Sequence, residues 1–129
     1  MLIYIKERKN ILEGFCLKII YTKSYDSQLK KLKKHKIEYE NLKRIIDAIE
    51  STNIFKDLSK TPVAILYKFE RLKHQNNGFY SFNLCKNGGK IRLIVKPNEN
   101  NEVEIYIAFI SFEHYEDFDL RKVIYYDEQ

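Results

Sequence analysis

The sequence predicts an α+β domain in which an N-terminal strand and a helical hairpin pack on one face of an antiparallel β-meander. Two amphipathic helical stripes lie between residues 24 and 51. Behind them come short stretches rich in Ile, Val, Tyr and Phe, separated by turn sequences, as in consecutive antiparallel strands. With 129 residues, of which 44% are hydrophobic, the chain fits one domain with a small core.

The first predicted elements are a strand and two helices. The segment LKIIYTK at 17–23 has the Ile and Tyr content of a strand. Ser24 can cap a helix that begins at Tyr25, where apolar residues recur at intervals of four and three. A second amphipathic stripe runs through residues 37–51. Because the join between the two helices is short, we expect them to form a hairpin.

A connector at 52–66 leads into the meander, and Pro62 can open a short helical turn within it. Four β-rich stretches follow, at residues 67–74, 79–85, 90–97 and 103–111. Gly78 and the KNGG sequence at 86–89 supply the turn chemistry of antiparallel connections. The last stretch is mostly apolar on both faces, which is typical of a central strand covered on both sides.

Charge is distributed unevenly along the chain, whose net charge is +5. Residues 1–98 carry 21 Lys and Arg against 9 Asp and Glu, whereas residues 99–129 carry 2 against 9. A basic body of this size favours a polyanionic partner, of which nucleic acid is the commonest. The alternative is a Lys-rich surface that is simply solvated.

Several kinds of protein and site find no support in the sequence. No apolar run approaches the ~20 residues of a membrane span, and the N-terminus lacks a signal-peptide pattern, so we expect a cytoplasmic protein without membrane contact. Cys16 and Cys85 form no metal or redox motif, and the three His residues are far apart, so we expect no metal and no cofactor. Residues 1–16 are interpreted as an N-terminal extension and residues 119–129 as a C-terminal tail.

Residues suited to metal-free cleavage of RNA are expected to meet on the face of the sheet away from the helices. RNA carries its own nucleophile, the 2′-hydroxyl, so cleavage needs a base, cations for the developing phosphorane charge and an acid for the leaving oxygen. Glu70 can act as the base and His114 as the acid. Arg92 and Lys73 can supply positive charge, and Tyr115 can hydrogen-bond the phosphate or stack on a nucleobase.

Each of these residues also has a purely structural interpretation. Glu70 can pair with a neighbouring Lys or Arg, and Arg92 can form a cross-strand ion pair. His114 can be a satisfied structural histidine at a strand end, and Tyr115 can belong to the core. The catalytic hypothesis therefore depends on the set rather than on any single residue.

The set resembles the RelE/ParE toxin superfamily of bacterial toxin–antitoxin modules, with the nearest similarity to its YoeB-like and HigB-like mRNA interferases. Four pieces occur in the family order, namely Leu72-Lys73, Gly78-Phe79-Tyr80-Ser81, Arg92-Leu93-Ile94 and His114-Tyr115. The resemblance covers residues 17–118, which would form the toxin domain. It departs from the family pattern in the extension before residue 17, in the long connector and in the acids after Tyr115.

The resemblance implies a strand, a helical hairpin and an antiparallel meander, in agreement with the periodicity. It also implies the roles given above for Glu70, Arg92, His114 and Tyr115, with Lys73 lining the same groove. The implied function is a toxin that cleaves mRNA on the ribosome without metal and is inhibited by a cognate antitoxin in a hetero-oligomer. Alternatives are a non-enzymatic, ParE-like toxin that binds a protein such as gyrase, and a catalytically inactive protein of this fold.

RNA contacts outside the catalytic set are predicted on the first helix and beside Glu70. These residues are Lys30, Lys31, Lys33, Lys34, Arg71 and His74. They would bind phosphates of the message or of ribosomal RNA.

Overall fold

The computed structural model describes residues 16–85 and 90–110, which form a mixed five-stranded sheet with helices packed on one face. The strands are β1 (Lys18–Tyr21), β2 (Glu70–Arg71), β3 (Tyr80–Asn83), β4 (Ile91–Pro97) and β5 (Glu102–Phe109). The helices are α1 (Lys23–Leu32), α2 (Lys36–Glu50) and α3 (Pro62–Leu66), with 3₁₀ helices at Phe55–Lys60 and His74–Asn76. This architecture confirms the predicted α+β class.

Four predicted features lie wholly or partly outside the described residues. They are the N-terminal extension up to residue 15, the KNGG turn at 86–89, the pair His114 and Tyr115, and the C-terminal tail at 119–129. The predictions made for them therefore stay predictions.

The first helix begins two residues earlier than the sequence suggested. Thr22, rather than Ser24, is the N-cap, and its hydroxyl oxygen accepts a hydrogen bond from the Tyr25 amide at 3.0 Å. The same hydroxyl donates to the Ile105 carbonyl on β5 at 2.7 Å. Thr22 therefore joins the start of α1 to the sheet, whereas Ser24 is buried inside the first helical turn.

The sheet has the order β1-β5-β4-β3-β2. Strands β2 to β5 form the predicted antiparallel meander. The N-terminal strand β1 pairs in parallel with β5, from Lys18 opposite Glu102 to Tyr21 opposite Ile105. The helical hairpin between β1 and the meander thus serves as the crossover that a parallel pair requires.

The strand predicted at 67–74 is much shorter than expected. Only Glu70 and Arg71 pair with β3. Lys68 and His74 both have positive φ, 51° and 58°, so the backbone leaves the β conformation on each side of this segment. The β-forming side chains here could not lengthen the strand because these two residues turn the chain.

The sheet separates two hydrophobic clusters. The larger one packs α1, α2 and α3 against alternate residues of the central strands, among them Leu93 and Ile105, which are fully buried. The opposite face, which we call the distal face, carries Arg92 and a second cluster made of Leu72, Phe79, Ile94, Tyr106, Ala108 and Ile110. Burial of each large apolar side chain contributes about 1.5–3 kcal/mol, so both faces stabilise the sheet.

Candidate functional site

The strand register places Glu70 and Arg92 on the distal face. Glu70 lies opposite Ser81 on β3, and Ser81 lies opposite Ile94 on β4. Arg92 lies opposite Asn83 on β3, one pleat further along the same face. With a strand spacing of ~4.8 Å and a rise of ~3.3 Å per residue, the two Cα atoms are about 12 Å apart. An extended Glu and an extended Arg side chain can therefore approach a phosphate group held between them.

The Glu70 side chain is exposed and forms no ion pair within residues 16–85 and 90–110, where the salt bridges are Lys43–Glu40 and Lys60–Asp57. Among the described residues, Glu70 therefore does not form the ion pair with a neighbouring cation that the structural interpretation expected. Arg92 is half-buried and engaged in contacts of its own. The carboxylate is thus accessible to a ligand, while Arg92 is partly shielded from solvent.

The cations next to Glu70 point in different directions. Arg71 is opposite Tyr80, whose ring packs with the helix-face cluster, so Arg71 is on the other side of β2 from Glu70. Its Nη2 donates to Asn77 Oδ1 at 3.1 Å. Lys73 and His74 are exposed and follow Leu72, a residue of the distal cluster. The strand register therefore places Glu70 and Arg92 on the same face of the sheet and Arg71 on the opposite face.

The four lysines predicted to bind RNA are all exposed, at the end of α1 and just after it. Lys31 Nζ lies 5.2 Å from the centre of the Phe109 ring, and the His35 ring lies 6.2 Å from the same ring. Since the Ile110 amide donates to the Lys90 carbonyl at 2.6 Å, the end of β5 meets the start of β4 there. The basic turn between the helices is therefore at the same end of the sheet as Arg92.

The backbone on both sides of Glu70 is strained. Lys68 and His74 occupy the left-handed region, which costs a residue with a side chain about 1–2 kcal/mol. Such strain persists only where the surrounding structure compensates for it, and it is enriched at functional sites. The short β2 strand is thus held in place at some cost to the free energy of folding.

Two solved structures are similar in fold to this chain. One is a YoeB/ParE toxin from Agrobacterium tumefaciens, with 18% identity, a TM-score of 0.52, and coverage of 74% of this chain and 100% of that chain. The other is a YoeB dimer from Staphylococcus aureus, with 15% identity, a TM-score of 0.53, and coverage of 74% and 98%. The chain has the RelE/ParE toxin fold. The sequence matches no family model and no curated protein.

In this RelE/ParE fold, one residue that the sequence analysis gave no role lies between the predicted ones. Ser81 is fully buried on β3, and its hydroxyl has no hydrogen-bond partner within the described parts of the chain. It belongs to the Gly78–Ser81 piece of the resemblance. The sequence signal that could have pointed to it is a serine in a strand whose other residues are aromatic or carry an amide.

The region behind Asn83 is fixed by a buried polar network. Asn41 on α2 donates from Nδ2 to the Leu84 carbonyl at 2.8 Å, and its Oδ1 accepts from the Tyr67 hydroxyl at 3.0 Å. Arg44 Nη1 donates to the same Oδ1 at 3.1 Å. The Tyr67 carbonyl in turn accepts from the Asn83 amide at 2.7 Å. These bonds hold the end of β3 that lies opposite Arg92.

The Cys85 thiol, at the end of this network, does not have the character of a nucleophile. Burial raises the pKa of the Cys85 thiol, whose Sγ lies 3.7 Å from Glu38 Oε1, so a nucleophilic thiolate is disfavoured there. Among the described residues, no group of three or more His, Cys, Asp or Glu is placed to hold a metal ion. Within the same residues no helix is long and apolar enough to cross a membrane.

Proposed function

We propose that the protein is the toxin of a type II toxin–antitoxin pair and acts as a metal-independent endoribonuclease on mRNA. The observation that carries the proposal is the register that puts Glu70 and Arg92 on one face of the sheet, on either side of β3 with Cα atoms about 12 Å apart. This placement occurs in a fold shared with YoeB toxins, at the positions where the sequence resemblance expects a base and a phosphate-binding cation.

The proposed reaction uses the 2′-hydroxyl of the substrate as the nucleophile. Glu70 takes the proton from that hydroxyl as the 2′-oxygen bonds to phosphorus. Arg92, with Lys73, stabilises the negative charge on the phosphorane oxygens. His114 gives a proton to the 5′-oxygen as the P–O5′ bond breaks, leaving a 2′,3′-cyclic phosphate and a 5′-hydroxyl. Tyr115 hydrogen-bonds the phosphate or stacks on a base, and no cofactor enters the reaction.

The surroundings of the site fit a large RNA partner. The exposed lysines of the helix turn are at the same end of the sheet as Arg92 but on the helix face, so an RNA bound across the site can reach them by passing around that end of the sheet. We propose ribosomal RNA as their partner, with His74 contacting the message near Glu70 and Arg71 contacting RNA from the other face of β2. A cognate antitoxin would inhibit the toxin by forming a hetero-oligomer with it.

The test is cleavage of a translated message by purified toxin and ribosomes, together with growth arrest on brief induction. Glu70→Gln, Arg92→Gln and His114→Gln are each expected to slow cleavage by about 10²–10⁴, because each removes one positioned proton carrier or cation. Glu99→Gln, the same change at an exposed turn residue, is the matched control and should cleave at the wild-type rate.

Mapping of RNA 5′ ends in induced cells separates enzyme from binder. New cuts within translated messages are expected from wild type and not from His114→Gln. If the His114→Gln and Arg92→Gln variants still arrest growth fully, and wild type itself produces no new 5′ ends, the proposed activity is wrong. The non-enzymatic alternative, a toxin that binds a protein such as gyrase, is then tested by inhibition of DNA supercoiling.

A further inference from the structure

The hydroxyl of Ser81 is an exception to the rule that buried polar groups are hydrogen-bonded. Its side chain is 0% exposed, yet Oγ has no partner among residues 16–85 and 90–110. A hydroxyl that loses water without gaining a partner lowers the stability of the fold, so such a group calls for an explanation. An alanine would fill the same position on β3 without that cost.

The neighbours of Ser81 on the distal face restrict what its hydroxyl can bind. Across on β4 is Ile94, and two residues earlier, just before β3, is Phe79; both are apolar. Two residues later, Asn83 Oδ1 already accepts from the Cys85 amide at 3.0 Å. Across on β2 is Glu70, the one neighbouring carboxylate on this face among the described residues.

The distance between Ser81 and Glu70 suits a hydrogen bond. Residues directly opposite in an antiparallel pair have Cβ atoms about 4.5–5.5 Å apart, which a Glu side chain spans when it lies along the sheet. In the structure the Glu70 side chain is exposed instead. Catalytic hydrogen bonds are often long or unformed without substrate and shorten when it binds.

We propose that Ser81 is a positioning residue for Glu70, an inference that depends on the proposed function. When RNA covers the distal face, Glu70 lies down on the sheet and one carboxylate oxygen accepts a hydrogen bond from Ser81 Oγ. The second oxygen is then held toward the 2′-hydroxyl whose proton it takes. Because serine is neutral, it orients the carboxylate without the competing attraction that a lysine or arginine would exert.

The variant that tests this is Ser81→Ala. A hydrogen bond to a charged group is worth roughly a 10- to 100-fold factor, so single-turnover cleavage is expected to slow by about that much. The thermal midpoint is expected to stay the same or rise, because an unpartnered buried hydroxyl is removed. Ser24→Ala is the matched control, since Ser24 is also buried but lies in α1, on the helix side of the sheet. The Ser24→Ala variant should cleave at the wild-type rate.

A double-mutant cycle separates positioning from general structural damage. In a Glu70→Gln background, Ser81→Ala is expected to change the rate by less than about twofold, because the group that it positions is already gone. If Ser81→Ala slows both backgrounds by the same factor, or leaves wild-type cleavage unchanged, the inference is wrong.

Failure of the inference can be told apart from failure of the proposed function. Cleavage that is lost in Glu70→Gln and retained in Ser81→Ala overturns the inference alone. Cleavage that is unaffected by Glu70→Gln overturns the base assignment, and the role of Ser81 falls with it.

Discussion

Removing the Asn41 side chain should reveal how much the buried polar network contributes to stability. Asn41 is 2% exposed, and its amide takes part in three hydrogen bonds, to Leu84, Tyr67 and Arg44, at 2.8, 3.0 and 3.1 Å. In Asn41→Ala, the hydroxyl of Tyr67, a residue that is 1% exposed, loses its acceptor and the Leu84 carbonyl loses a donor. At about 1–3 kcal/mol for each of these two buried groups, the free energy of unfolding should fall by about 2–6 kcal/mol.

Tyr67→Phe should be milder, because Asn41 Oδ1 keeps its bond from Arg44. We expect a loss of about 1 kcal/mol, the typical value of one hydrogen bond. In the Tyr67→Phe background no hydroxyl is left unsatisfied when Asn41 is truncated. Asn41→Ala should then cost about 1–2 kcal/mol less than it does in wild type.

Urea unfolding followed by far-ultraviolet circular dichroism measures all four proteins of the cycle, with the m-value checked for constancy. If the two losses add within about 0.3 kcal/mol, the side chains of Asn41 and Tyr67 are not coupled through their hydrogen bond as described. An Asn41→Ala variant as stable as wild type would likewise refute the reasoning.

Three further stability measurements follow from the structure. Lys68→Gly should stabilise the protein by up to about 1 kcal/mol, because the φ of 51° at Lys68 favours glycine. The same change at Lys30, inside α1, should destabilise it by about 1 kcal/mol. Equal effects of the two changes in urea unfolding would contradict the strain at Lys68. Burial raises the pKa of Tyr25 from 10.0 to about 12, so the folded state keeps a proton that the unfolded chain releases. The stability that is present below pH 10 should therefore be lost between about pH 10 and pH 12. In a curve of stability against pH, Tyr25→Phe should make that loss smaller. Ile45→Asp places a carboxylate at a fully buried position and should unfold the domain. Ile46→Asp, at a half-buried position, should lower the thermal midpoint by less than Ile45→Asp does. An Ile45→Asp variant that stays folded would contradict the packing of α2.

Periodicity was enough to predict the helices and the inner strands. The stripe on α2 is buried as expected at Leu42, Ile45 and Ile49, and alternation along β4 puts Leu93 on the helix face and Arg92 on the distal face. These patterns are legible because a helix or strand repeats over a few residues, so neighbours in sequence report which side is buried.

Local propensity was misleading where single residues change the backbone direction. The stretch at 67–74 contains strand-forming side chains, but positive φ at Lys68 and His74 limits pairing to two residues. The N-cap was placed at Ser24 because serine is a good cap. Thr22 takes that role because its hydroxyl also reaches the Ile105 carbonyl, which is distant in sequence.

The sequence by itself determined the two long helices and the inner strands, the face on which Glu70 and Arg92 lie, and the four motif pieces that resemble the RelE/ParE toxins. The tertiary structure decided that β1 pairs with β5 and that Glu70 and Arg92 lie on either side of β3 on one face. It also decided that the Ser81 hydroxyl is buried beside Glu70 without a partner among the described residues. The physical reason is the range of the interactions. Amphipathic periodicity is local, whereas strand register and hydrogen-bond satisfaction are set by residues that meet only when the chain has folded.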